Sequence, residues 1–394
     1  RIALGLAVAL AAWGGPVLAG TAPKEAKADS ATPLPDSAGS YLAARAAMAG
    51  HQFVEAARWY AVALQVTPQN PDLLQGALTA ALAQGDVAGA TRLARALAAT
   101  GAKSQIASMT LVADDAIRGD FAAILKDQAG GATLGQLMDD LVTAWAEVGT
   151  GKMSDASGSF DKIIGTPGMA AFGLYHKALA LAQTGDFEGA EKLLSQPGAD
   201  PINGLRRGVL AKVEILSQLD RGPEAVALID KVYGPVLDDG LADLRRRLAA
   251  GEPLPFDVAR TPQEGLAEAF FTLATVLADQ ADDTYTLLNT RIASALRPDH
   301  VEADLMSARV LEKLGQFDLA MAAFAKVPEA DPAYVSAMVG QASSAMSAGK
   351  LDESVALLKA LADKKPDNPG VLTAYGDSLR RQGHCDTAVL AYTQ

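Results

Sequence analysis

Apolar and small residues along this chain recur in paired runs of helical spacing, and in its last third the pairs keep a fixed interval. Pro298, Pro332 and Pro366 stand 34 residues apart, and Gly315, Gly349 and Gly383 keep the same step. Between each glycine and the next proline, small or apolar residues sit at constant offsets: Ala320, Phe324 and Val327, then Ser354, Leu358 and Leu361, then Ala388 and Tyr392. A period of this length with two helices per unit predicts a helical repeat array. The glycine ends the first helix of a unit and the proline stops the second. The small residues let the two helices approach, so Ala320 is expected between the helices of its unit. One unit cannot bury its own apolar face, and neighbours must stack.

The same pattern runs less regularly through the first half. Phe53, Ala56, Tyr60, Ala63 and Pro68 fit a unit starting at Ser37, and Leu74, Ala77, Leu78, Ala81, Gly85, Ala90 and Leu97 fit one from Pro71. A unit from Gln105 degrades over 128–133, and the spacing slips there. Units from Leu137 and Ala171 are clear, and a weaker one starts near Leu205. Residues 233–266 break the register. They contain Gly234-Pro235, a basic run from Leu241 to Leu248, and prolines at 253 and 255 that exclude a continuous helix. This connector is either a hinge between two arrays or an extended strap lying on one face. The expectation is an all-α solenoid of antiparallel helix pairs, about ten units, with arrays over 37–232 and 267–394, the last unit ending within its second helix.

The unit from Pro369, with Leu372, Tyr375, Gly376, Leu379, Gly383, Ala388 and Tyr392, resembles the tetratricopeptide repeat. So does the unit from Val301, with Ala308, Leu311, Gly315, Phe317, Ala320, Phe324 and Pro332, although Asp304 stands where that family has an apolar residue. The residues themselves show no catalytic, cofactor or metal-binding motif, and the resemblance implies a right-handed α-solenoid. Its first helices would line a concave groove that binds a protein or extended peptide. The groove positions then fall on Tyr41, Arg45, Leu141, Trp145, Phe172, Tyr175, Phe271, Leu305, Arg309, Asp377, Arg380 and Arg381. Trp145, Phe172 and Tyr175 are either an aromatic binding surface or, with the register displaced by one, core between repeats. Position 5 of the units never carries Lys, which disfavours the clamp that some relatives use for a terminal carboxylate. The stretch from Pro253 to Ala259 and the run from Gly265 to Phe271 are similar to exported tetratricopeptide proteins of proteobacteria.

Composition narrows the function. The formal net charge is −12 and aromatic residues make up 5%. A phosphate backbone needs a basic patch, and the only tight one is Arg245-Arg246-Arg247, which reads either as a site for an acidic partner or lipid headgroup or as a solvated helix face. Nucleic acid is not an expected partner. The single cysteine, Cys385, allows no internal disulfide or thiolate cluster. His51, His176, His300 and His384 have no ligand-spaced partners, and the paired aspartates suit solvated helix surfaces. Residues 2–18 are almost wholly apolar and end at Val17-Leu18-Ala19, which predicts a signal peptide over 1–19 cleaved after Ala19. A disordered spacer over 20–36 would follow. The sequence therefore predicts a non-enzymatic scaffold or adaptor of the bacterial envelope, periplasmic or secreted. The alternatives are a recruiting arm for a catalytic domain beyond Gln394 and a structural subunit of an export or assembly complex.

Overall fold

The structure is a computed structural model that describes residues 37–278 and 282–393, and all regular structure among them is helical. The apolar N-terminus and the spacer lie outside the described residues. Five helix pairs come first: α1 (Ser37–Ala49) with α2 (Phe53–Val66), α3 (Pro71–Gln84) with α4 (Val87–Ala99), and α5 (Gln105–Ile117) with α6 (Phe121–Ala129). Then follow α7 (Gln136–Gly149) with α8 (Met153–Gly165) and α9 (Ala170–Gln183) with α10 (Phe187–Leu194). After the short α11 (Asp200–Asn203), α12 (Arg206–Gln218) pairs with α13 (Gly222–Tyr233), and α14 (Asp239–Ala249) follows singly. The second array holds α15 (Pro262–Leu277) with α16 (Asp283–Leu296) and α17 (Val301–Lys313) with α18 (Phe317–Phe324). It continues with α19 (Tyr334–Ser347) and α20 (Leu351–Lys364), then α21 (Pro369–Gln382) and α22 (Cys385–Thr393).

Local chemistry explains the boundaries. Gly315 turns the chain at φ 70°, in the left-handed region that a side chain would disfavour. Several second helices start on an aspartate whose side chain accepts from the N–H three residues on: Asp86 from Gly89, Asp120 from Ala123 and Asp186 from Gly189. The small residue between paired helices is fully buried in unit after unit, at Ala56, Ala90, Ala156, Ala190 and Ala320. Ser354 takes that place in the next unit, and its hydroxyl accepts from Ser378 Oγ at 2.9 Å.

The connector is an extended strap, and it is shorter than the sequence break. α14 occupies its first half. α15 begins at Pro262, inside the stretch expected to be irregular, because Thr261 Oγ1 accepts from the Glu264 N–H and proline suits the first helical position. Residues 234–238 and 250–261 remain without α-helix, and the second of these stretches lies along α12.

The two arrays pack on each other. α15 lies against α7 and α9, and α16 against α3 and α5. One apolar core therefore runs without a break from Phe53 through Trp145 and Phe270 to Ala337.

Candidate functional site

Along α7 and α9 of the first array, the side of the first helices expected to form the groove is covered by the chain itself. Leu141, Trp145 and Tyr175 are fully buried and Phe271 is 7% exposed. The aromatic surface expected on α7 and α9 is thus the seat of α15. Gly265 makes the approach possible: a Cβ there would stand 2.3 Å from the Trp145 ring. Trp145 donates from Nε1 to His176 Nδ1 at 3.1 Å, and the Tyr175 hydroxyl donates to Glu268 at 3.1 Å. Phe172 is half-buried at the edge of this core. Leu141, Trp145, Tyr175 and Phe271 are therefore not open to an external ligand, because the chain's own helix removes their apolar surface from water.

Sequence reasoning missed a buried polar cluster at this seam. Glu268, with no exposed surface, pairs with Arg207 and lies 3.2 Å from His300 Nε2. Arg207 also reaches Glu302 at 3.3 Å. Burial alone would push the Glu268 carboxyl up, but Arg207 and His300 outweigh it and hold the pKa at about 2. Glu302 is held well below its ordinary value against the same burial cost, again mainly by Arg207. His176 is driven down to about 4 by burial. Asp304, the departure from the repeat pattern, accepts from Ser294 Oγ at 3.0 Å and Lys326 Nζ at 3.1 Å. Charged residues at positions that a repeat keeps apolar, such as Glu268 amid Leu266 to Ala274, were the available signal.

In the second array the same helix side stays open. Leu305 is half-buried, Arg309, Arg380 and Arg381 are exposed, and Asp377 is half-buried, accepting from the Tyr392 hydroxyl at 2.8 Å. Arg309 and Arg381 make no ion pair among the described residues. On α1, exposed Arg45 donates to the hydroxyl of half-buried Tyr41 at 3.3 Å and lies 5.8 Å from the centre of its ring. The arginine run of α14 is a paired helix face: Arg245 bonds Asp230, Arg246 bonds Asp243 and Arg247 bonds Glu252.

The sequence model of the tetratricopeptide repeat matches residues 290–335 and 337–394. These are tetratricopeptide repeats. Among solved structures, the chain is similar to the tetratricopeptide domain of P58(IPK), at 15% identity over 91% of this chain and 92% of that one, with a TM-score of 0.27. Yeast Tom70 is 15% identical over 91% of this chain and 75% of its own, with a TM-score of 0.30. The Cut9 and Hcn1 hetero-tetramer of the APC/C is 14% identical, covers 92% and 80%, and has a TM-score of 0.28. Likeness at this level gives no correspondence between sites. No curated protein matches the chain in sequence. Tetratricopeptide arrays are typically interaction scaffolds, and they bind protein or peptide partners. Among the described residues no helix is long and apolar enough to cross a membrane.

Proposed function

We propose that the protein is a non-enzymatic interaction scaffold that holds a peptide or protein partner on the first-helix side of α17, α19 and α21. The observation that supports this reading is the contrast between the arrays. The first spends this side of α7 and α9 on its own chain, whereas the second leaves Leu305, Arg309, Asp377 and Arg380 accessible. Partly apolar side chains rimmed by charged ones suit a partner that brings apolar anchors and polar ends. The apolar N-terminus closing on Val17-Leu18-Ala19 supports export, and we place the scaffold in the cell envelope on that ground.

Panning a random peptide library on the purified chain tests the assignment. Enriched peptides should bind Leu305→Asp at least about tenfold more weakly than wild type, a loss of about 1.4 kcal/mol. Tyr175→Phe, which alters only the covered side, should bind them as wild type does. Peptides that bind Leu305→Asp undiminished would remove the second array's face from the reading.

A further inference from the structure

The strap is held as an array holds a ligand. Arg207, Glu214, Ser217 and Gln218 lie along one side of α12, and what they grip is backbone. The Leu254 N–H donates to Ser217 Oγ at 2.7 Å, and the Leu254 carbonyl accepts from Gln218 Nε2 at 2.5 Å. The N–H groups of Asp257 and Val258 donate to one oxygen of Glu214, at 2.7 and 3.0 Å. The Val258 carbonyl accepts from Arg207 at 3.2 Å and from Arg297 at 2.9 Å. A strand or helix would satisfy these groups within its own ladder; here the array's side chains do so. Within residues 254–258 only the Leu254 and Val258 side chains are sunk deeply, each 1% exposed, and Ala259 is buried just beyond them. Backbone contacts of this kind accept any extended segment, and the two apolar sockets select which one.

We propose that the α12 stretch of the first array is a binding site for an extended peptide, occupied in cis by residues 254–258, so that the connector is a built-in competitor of an external segment. The external segment carries apolar residues at the two socket positions and a proline between them that keeps it extended. An acidic residue before the second socket would meet Arg297 and Arg260, as Asp257 does at 3.1 and 3.3 Å. The site is distinct from the open side of the second array and stands or falls without it.

The hold has a built-in weakness at Glu214. Burial drives its carboxyl up to about 7, against the two strap N–H groups and Arg207, which favour the ionised form. The charged groups facing it are Arg207 on its own helix and Asp257 on the strap, with the Tyr175 hydroxyl on α9. A carboxyl whose folded value is raised gives stability that is present below its ordinary value and lost as pH rises through the folded one. The strap's two N–H groups favour the ionised carboxylate and burial the protonated one, so the grip on residues 254–258 is linked to the protonation of Glu214.

A labelled synthetic peptide with the sequence of residues 252–261, titrated into the full chain, tests this. Leu254→Ala/Val258→Ala empties both sockets in cis. The proposal expects this variant to bind the peptide at least about tenfold more tightly than wild type, whose own strap competes at high effective concentration. A variant with wild-type helix content and no gain in affinity overturns it. If the variant loses its helices, hydrogen exchange at the Asp257 and Val258 amides of the wild type decides. They should exchange before the buried amides of α12, and at rates that differ between about pH 6 and about pH 8 after correction for intrinsic rates. Glu214→Gln, whose amide oxygen accepts both N–H groups without a buried charge, should abolish that difference. Exchange in step with α12 at both pH values overturns the proposal.

Discussion

Two buried titratable side chains oppose each other over one pH window. His176 has no exposed surface, accepts from Trp145 and leaves Nε2 without a partner among the described residues. Burial lowers it from 6.5 to about 4, so the unfolded chain takes up a proton that the folded chain refuses. Its contribution is present above 6.5 and lost as pH falls toward 4. Glu214, raised from 4.5 to about 7, does the reverse: its contribution is present below 4.5 and lost as pH rises. Wild type should hence show a shallow profile in mild acid. His176→Gln keeps an acceptor for the Trp145 N–H but removes one of the two slopes. Relative to wild type it should gain up to about 2–3 kcal/mol between about pH 6.5 and about pH 4.5 in urea melts. Parallel profiles for the two proteins would show that His176 titrates normally. Nothing in the sequence disclosed either shift, because both depend on which distant residues exclude water from the side chain.

Helices within a unit obey rules that the sequence states openly. The glycine of the turn, the aspartate that starts the second helix and the small residue between the two act over a few residues, so Ala320 is found where its spacing placed it. Contact between helices of different arrays follows no such spacing. α15 meets α7 because Gly265 has no side chain where the Trp145 ring lies, and that pairing leaves no mark in either stretch alone. Gly265→Ala would force the buried ring or the helix to move and should cost about 1–3 kcal/mol by overpacking. Thermal unfolding of the variant measures this, and an unchanged melting temperature would mean that α15 does not sit so closely on α7. The connector follows the same logic. Its prolines announced an irregular stretch, but the choice between hinge and strap rested on Glu214 and Ser217, far earlier in the chain.

At the scale of the molecule, a repeat array is expected to be stabilised by contacts between neighbours alone. This one adds long-range contacts that close it on itself. The apolar core passes from the first array into the second, and the seam is locked by Arg207, which joins α12 to Glu268 on α15 and Glu302 on α17. The two arrays should consequently unfold together in urea, with Trp145 fluorescence, read in a Trp13→Phe/Trp59→Phe background, and far-ultraviolet circular dichroism giving coincident curves. Arg207→Met leaves the buried Glu268 carboxylate without its main cation and with His300 alone, a loss of up to about 3–5 kcal/mol. The seam should then open before the helices melt, and the two curves should separate. If they stay coincident in Arg207→Met, the arrays are joined by apolar packing and the ion cluster is incidental to it.

The sequence by itself determined the repeat and the helix pairs, because these follow from periodicity and turn chemistry acting within a unit. Trp145 and Tyr175 were legible as apolar positions of their first helices, either a binding surface or core between repeats. The tertiary structure alone decided what lies against them: α15, arriving from the other array, converts a candidate binding surface into core and leaves the open side to Leu305, Arg309 and Arg380. A residue's spacing fixes its direction on a helix, but its exposure depends on surfaces brought in from far along the chain.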